Sequence, residues 1–171
     1  MNQADLEHEM EQLHPASFAW ALGCCRRNRD DAEEILQIVY LKVLEGKAKF
    51  DGRSSLKTWL FSVIRNTAAA RMRSIWMQPP LEFAMWFAGA REQAAVESAD
   101  VSIEHSQRNA KLNDAVERLS SRQREVLQLV FYHDMTVEEA AMAMEVSVGS
   151  ARVHYHRGKR QLLAMLNGDL R

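Results

Sequence analysis

Residues 147–163, SVGSARVHYHRGKRQLL, place six basic or imidazole side chains in one short stretch without an acid: Arg152, His154, His156, Arg157, Lys159 and Arg160. That density of cationic and hydrogen-bonding groups suits an anionic polymer. In a groove-lying helix the leading residues reach base edges, while Arg and Lys further along hold phosphates. The solvated face of an ordinary helix can look the same, so the neighbouring elements must decide. A second constellation spans Phe50 to Arg73, where Trp59 follows a Gly-containing loop and precedes a basic helix face. Base stacking and backbone neutralisation are what a single strand requires, although Trp59 equally fits a core stripe. No nucleophile, base and orienting group occur in a recognisable arrangement, so the expectation is no enzyme and no cofactor. His154 and His156 stand two apart and face different ways on a helix, so no metal site is expected there. Cys24 and Cys25 are adjacent rather than spaced as C-x-x-C. That favours free thiols, buried or half-buried on a helix, over zinc or thiol redox chemistry.

The elements that must hold these groups read as helices. Three prolines and seven glycines leave long uninterrupted stretches, and apolar residues recur at three and four rather than two, which predicts an all-α fold. In RDDAEEILQIVYLKVLEG, Asp30 with Glu33 fits a capping box, acids crowd the first turn, and Gly46 supplies a stop. Ile35, Leu36, Val39, Val43 and Leu44 form its apolar stripe, with Asp31, Glu34, Gln37 and Lys42 largely off it. The preceding PASFAWALGCCRRN reads as another core helix with Pro15 near its start. After the turn-rich KFDGRSS, a longer helix in SLKTWLFSVIRNTAAARMRS has Leu56, Trp59, Leu60, Val63, Ile64 and Thr67 as its core face. Ser62, Arg65, Asn66, Ala69 and Arg73 fall opposite, on a side without an acid.

From residue 75 to 109 the periodicity fades, Pro79 and Pro80 break any helix, and acids outnumber bases. This passage reads as an interdomain connector whose Trp76, Phe83, Trp86 and Phe87 favour a short docked helix over a disordered linker. Three cap signals follow: Ser120 with Gln123, Thr136 with Glu139, and Ser147. Only EVS separates the second and third helices, the spacing of a helix-turn-helix. The basic stretch is its second helix, with Ala151, Tyr155, Leu162 and Leu166 inward. The expected organisation is two small helical domains, 1–74 and 110–171, joined by a linker over 75–109.

Bulk properties narrow the class further. With 171 residues, 47% apolar composition and a formal charge of −1, the chain has no general excess of basic charge. Any nucleic-acid surface must therefore be local. No apolar run approaches the ~18 residues of a membrane span, and the opening MNQADLEHEMEQ is unlike a signal or transit peptide. A cytoplasmic address is the expectation.

At this point the motifs carry a family resemblance. DDAEEILQIVYLKVLEG, the F-x-G-x-x-S-x-x-T-W-L-x-x-V-I-R-N-T-A pattern from Phe50 to Ala68, and the capped AVERLSSRQREVLQLVFYHDMTVEEAAMAMEVSVGSARVHYHRGKRQL resemble, in order and spacing, the two conserved regions of bacterial sigma factors. The short extracytoplasmic-function group, which keeps only regions two and four, matches the length. The resemblance implies a transcription initiation factor that binds RNA polymerase core enzyme, directs it to particular promoters and helps to open them.

Residue by residue, the resemblance implies that Asp31, Glu34, Gln37 and Ile38 dock on the clamp coiled coil of the largest polymerase subunit. It implies that Arg53, Ser54, Ser55, Lys57, Asn66, Arg71 and Arg73 capture an unstacked base of the minus-ten strand, with Trp59 supporting from the core side. Ser150, Arg152, Val153, His154, His156 and Arg157 match the positions that contact the minus-thirty-five element. The surface around Arg122 to Tyr132 resembles the one that binds the flap of the second-largest subunit. Promoter DNA and polymerase are thus the implied partners, with an anti-sigma factor, often membrane-bound, commonly holding such proteins; no small-molecule substrate is implied. The chain departs from the family at Leu119-Ser120, where Leu-Pro is usual, and at Val153, His154 and Gly158 of the recognition helix. Gly158 costs ~1 kcal/mol of helix propensity relative to Ala, and the promoter sequence does not carry over. The alternative is a stand-alone helix-turn-helix regulator with residues 1–75 as a sensing or dimerisation module; a helical adaptor that binds only protein is more distant.

Overall fold

A computed structural model of the chain describes residues 3–76 and 111–168, and among these the regular structure is entirely helical. The helices are α1 (Gln3–Cys24), α2 (Arg29–Leu44), α3 (Leu56–Trp76), α4 (Ser121–Phe131), α5 (Val137–Ala143) and α6 (Val148–Gly168), with a helical stretch over 111–117 before α4. The expected docked helix in the connector lies outside the described residues.

The first three helices pack on one another through apolar faces set by the i, i+3, i+4 spacing. Trp20 and Ala21 of α1, Ile35 and Val39 of α2, and Leu60, Phe61 and Ile64 of α3 have no solvent exposure. The bundle is tied at its centre by a buried hydrogen bond, in which Trp20 Nε1 donates to the Phe61 carbonyl at 3.0 Å. In the C-terminal half, α4, α5 and α6 enclose Val126, Leu129, Ala140, Ala143, Met144 and Ala151. Both expected capping boxes are formed, Ser120 with Gln123 and Thr136 with Glu139. Ser147 also caps α6, its Oγ accepting from the Ser150 amide at 3.1 Å.

Several local expectations need correcting. Asn28, not Asp30, caps α2: it holds extended backbone and its Oδ1 accepts from the Asp31 amide at 3.1 Å, which leaves Asp30 inside the first turn. Pro15 lies in the middle of α1 rather than near its start. The helix extends back because Met10 is buried and Leu6 and Leu13 pack against the core, so the turns before Pro15 have their own apolar anchor. Leu44 is exposed, since α2 ends there and Gly46 turns the chain away in left-handed conformation at φ +69°. Gly158 is buried against α4, where a Cβ would meet Gln123 Cβ and Leu127 Cδ1 at 3.1 Å each. Its missing side chain lets two helices approach, so this departure is a packing requirement.

The two halves also share a core. Phe61 lies off the stripe expected for α3, yet it is fully buried because Trp20 stacks on it and His133, from the turn between α4 and α5, meets it edge-on. Centroid separations are 5.7 Å for Trp20–Phe61 and 4.9 Å for Phe61–His133, within the favourable range for aromatic pairs.

Candidate nucleic-acid interface

The helix-turn-helix forms as spaced. α5 ends at Ala143 with Met144 as its C-cap, Glu145 takes positive φ in the turn, and α6 begins at Val148. Ala151, fully buried, seats the first turn of α6, and Tyr155 stacks on Phe131 of α4 at 5.9 Å. With that face fixed, Ser150, Arg152, Val153, His156 and Arg157 are exposed and His154 is half-buried. All six candidates therefore lie on the early turns of one positioned helix. Arg152 is held by Glu138 of α5 at 2.7 Å, and that hydrogen bond lowers the Glu138 carboxyl below its ordinary value. Phe131 and Tyr132, at the end of α4, remain largely exposed.

The second set of candidates is less uniform. Arg53 is exposed beside Asp51 at 3.1 Å, Ser54 is half-buried, and Ser55 acts as the cap of α3, with its Oγ accepting from the Thr58 amide at 3.1 Å. Trp59 is half-buried and leans on Phe50, at a centroid separation of 5.5 Å. Lys57 and Asn66 are engaged by the C-terminal half: Lys57 Nζ donates to the His133 carbonyl at 2.6 Å and Asn66 Nδ2 to the Glu145 carboxylate at 2.7 Å. Between them, Arg65 pairs with Glu125 at 3.0 Å. The face expected to stand free for nucleic acid is thus partly an interface, because its basic and amide donors find the acceptors of α4 and of the α4–α5 and α5–α6 turns. Arg73 remains exposed near the end of α3.

Arg71 joins two candidate sets. Its guanidinium pairs with Glu34 and lies 4.0 Å from Asp31, both assigned above to polymerase docking. Burial raises the Asp31 carboxyl above its ordinary value, with Arg71 opposing that shift. Gln37 is exposed and lines a shallow cleft with His14, Phe18, Arg29, Glu33 and Tyr40; Ile38 is half-buried. Asp31, Glu34 and Ile38, at i, i+3 and i+7, share one face of α2, and Gln37 lies at its edge.

The cysteines are free, Cys24 half-buried and Cys25 buried. Burial pushes both thiols up, Cys25 to about 11, so neither is an activated thiolate at neutral pH. Among the described residues no group of three or more His, Cys, Asp or Glu side chains could hold a metal ion, and no helix is long and apolar enough to cross a membrane.

Comparison with known proteins decides the family. The model for Sigma-70 region 2 matches residues 10–77, and that for Sigma-70 region 4 matches residues 109–162. The chain belongs to the sigma-70 family, extracytoplasmic-function group. The ECF RNA polymerase sigma factor SigX of Bacillus subtilis is 28% identical over 138 residues, covering 80% of this chain and 71% of that protein. The ECF RNA polymerase sigma factor RpoE of Cereibacter sphaeroides is 32% identical over 122 residues, or 71% and 64% of the two chains. In structure, the sigma factor RpoE of Bartonella quintana, solved with the anti-sigma factor NepR, aligns with a TM-score of 0.71 at 23% identity, covering 95% of this chain and 97% of that one. That likeness is one of fold.

This sigma factor binds RNA polymerase core enzyme, directs it to specific promoters and assists their melting. A stand-alone helix-turn-helix regulator is not favoured, because region 2 accounts for the residues which that alternative left to a sensing module.

Sequence reasoning missed Phe61, His133 and the Arg65–Glu125 pair as members of one contact. An aromatic off the expected stripe of α3 was the only signal, and its partner lies more than seventy residues away in the chain.

Proposed function

We propose a division of promoter recognition between the halves, with residues 1–74 and 110–171 as the working units and 75–109 as the tether. Ser150, Arg152, Val153, His154, His156 and Arg157 read the minus-thirty-five duplex. Arg53, Ser54, Ser55, Lys57, Asn66, Arg71 and Arg73 hold the minus-ten strand, and Asp31, Glu34, Gln37 and Ile38 dock on core polymerase. The observation that carries the reading is the acid-free run of six candidates on α6, five exposed and His154 half-buried, seated by the buried Ala151 and Gly158. A good bidentate Arg contact is worth ~1–3 kcal/mol of base discrimination. Flipping a minus-ten base costs a few kcal/mol, which stacking and pocket contacts offset. Each unit needs only modest affinity, since polymerase makes the second contact intramolecular. A net charge of −1 suits a protein that borrows its affinity in this way.

The exposed Phe131 and Tyr132 provide the flap-binding surface. The factor acts in the cytoplasm and without catalytic chemistry of its own. A solved neighbour, CnrH, is held with the cytosolic domain of CnrY, and the Bartonella quintana factor with NepR. An anti-sigma factor, soluble or membrane-anchored, is accordingly a partner of this chain.

Run-off transcription with purified core polymerase on candidate promoters tests the reading, with initiation expected only when the factor is added. Silence on every template, with folded and inhibitor-free protein, overturns it. Arg157→Ala should weaken minus-thirty-five binding by the holoenzyme about tenfold, the ~1–3 kcal/mol of one good base contact, and leave core binding intact. Loss of core binding as well would contradict the division of labour.

A further inference from the structure

One apolar side chain interrupts the cationic face of α6. Ala151 and Gly158 turn one side of the helix inward, and at about 3.6 residues per turn Val153 falls nearly opposite both. It is 45% exposed. The residues that flank it on that side, Ser150, His156 and Arg157 at i−3, i+3 and i+4, are exposed as well. The other exposed large apolar residues of α6 lie away from this surface: Val148 is in the first turn and Leu163 follows the last basic residue, Arg160. Helix propensity gives no reason for Val at this point, since a β-branched residue on a solvated helix is less favourable than Ala, Lys or Gln.

The preceding turn adds a second sign of close approach. Gly149, also disfavoured within a helix, is exposed, and a Cβ there would meet nothing nearer than Ser147 Oγ at 3.9 Å. Packing within the chain therefore does not require a glycine there. Gly149 and Ser150 leave the start of the helix without bulk, so an external surface can come down on Val153. Val is also preorganised for such a contact, because its χ1 holds one rotamer about 90% of the time in a helix. Its methyl groups are thus presented at little cost in side-chain entropy. In the major groove, the base-edge group that an apolar side chain recognises is the 5-methyl of thymine.

We propose that Val153 is a specificity-determining residue of the minus-thirty-five reader, its isopropyl group packing on the 5-methyl group of one thymine. The assignment rests on the minus-thirty-five reading given above and adds the base-edge chemistry that this position selects. A cytosine, which lacks the methyl and presents an amino donor, leaves the isopropyl group without a partner. Removing one methyl from such a contact costs about fourfold in affinity, the transfer free energy of a single buried carbon.

The test uses holoenzyme assembled from core polymerase and the full chain. Selection from a duplex library randomised over the promoter region gives the preferred upstream element. In the best binder each thymine of that element is then replaced in turn by deoxyuridine, which removes only the methyl group. Wild-type holoenzyme should lose about fourfold at one thymine and little at the others. Val153→Ala, a change that favours the helix, should bind the thymine parent about fourfold more weakly. It should show no further loss with deoxyuridine at that position, so that the two changes are not additive. Val153→Thr, which keeps one methyl and the branched shape, should retain part of the sensitivity. Helix content by circular dichroism and core binding should be unchanged in both variants, which separates lost recognition from misfolding. The assignment is overturned if every deoxyuridine duplex binds wild type as tightly as its parent, if Val153→Ala keeps the wild-type sensitivity, or if the selected element contains no thymine. Failure of the minus-thirty-five reading looks different: holoenzyme then selects no upstream element, Arg157→Ala binds as wild type does, and both inferences fall.

Discussion

Two helices of this sigma factor carry candidate DNA readers, and they differ in what faces them. The early turns of α6 are open: Val153 is 45% exposed, and Arg152 meets only a surface carboxylate. The corresponding stretch of α3 is half spoken for, with Lys57, Arg65 and Asn66 all bonded to the C-terminal half. The physical reason is partition of the apolar residues. α6 buries small residues, Ala151 and Gly158, on one side. α3 buries residues on two sides, Leu60 and Ile64 toward its own bundle and Phe61 toward Trp20 and His133. A reader helix with one apolar face is free when folded, whereas one with two faces is free only when its second partner leaves.

The largest test of that difference is Phe61→Ala. Truncating a fully buried Phe typically costs 3–5 kcal/mol, and urea denaturation should register about that loss together with loosening between the halves. A loss below about 1 kcal/mol would mean that the shared aromatic centre does not form in solution. Gly158→Leu should act on the other side of the comparison and on the C-terminal half alone. Extra atoms forced between α4 and α6 cost about 1–3 kcal/mol, against ~1 kcal/mol regained in helix propensity. The expected outcome is a modest net loss with minus-thirty-five binding weakened and core binding retained, read by denaturation and by gel shift with holoenzyme.

His133 makes the comparison depend on pH. Burial, then the Lys57 charge, lower its pKa from 6.5 to about 4, while Asp134 opposes. Lys57 is the charged group that faces it from α3, Asp134 adjoins it in its own turn, and Trp20 of α1 and Tyr132 present rings. Above pH 6.5 the ring is neutral whether exposed or buried, and the junction keeps its full stability. As pH falls toward 4, the unfolded or open chain takes up a proton that the closed one resists, so stability is lost across that window. Between pH 7 and 5 the loss should be about 2 kcal/mol, measured by urea midpoints at the two pH values. His133→Leu should flatten this component; an unchanged slope would place the titrating group elsewhere.

The sequence made legible the elements whose signals are local. Caps at Ser120, Thr136 and Ser147 form because Ser and Thr hydroxyls accept from amides two or three residues ahead, a preference independent of the rest of the chain. The core stripe of α3 and the open face of α6 follow from helical spacing in the same way. What stayed hidden depends on partners distant in the chain. Phe61 is buried by Trp20 and by His133, and Gly158 is required by Gln123 and Leu127 of another helix. Pro15 sits mid-helix because the apolar residues before it find the core, which outweighs its local tendency to start a helix. The acid-free face of α3 was legible as chemistry, but its acceptors lie on α4 and the turns beyond it.

The smallest expected effect sharpens the open side. Arg152 and Glu138 have side chains 61% and 53% exposed, and exposed pairs of this kind contribute ~0–1 kcal/mol. Glu138→Gln should therefore leave the unfolding midpoint almost unchanged. If Arg152 contacts DNA as proposed, the consequence there is of a different order, because the carboxylate competes for the guanidinium and adds a negative charge beside it. Releasing Arg152 should tighten binding of the holoenzyme to a minus-thirty-five duplex several-fold, and the salt dependence should steepen by about one unit for one added phosphate contact. If affinity rises without a steeper salt slope, Arg152 reaches a base edge instead of the backbone, and the open face of α6 then reads sequence through that residue. If affinity falls, Glu138 orients Arg152 toward the groove, and the pair is part of the reader rather than a restraint on it.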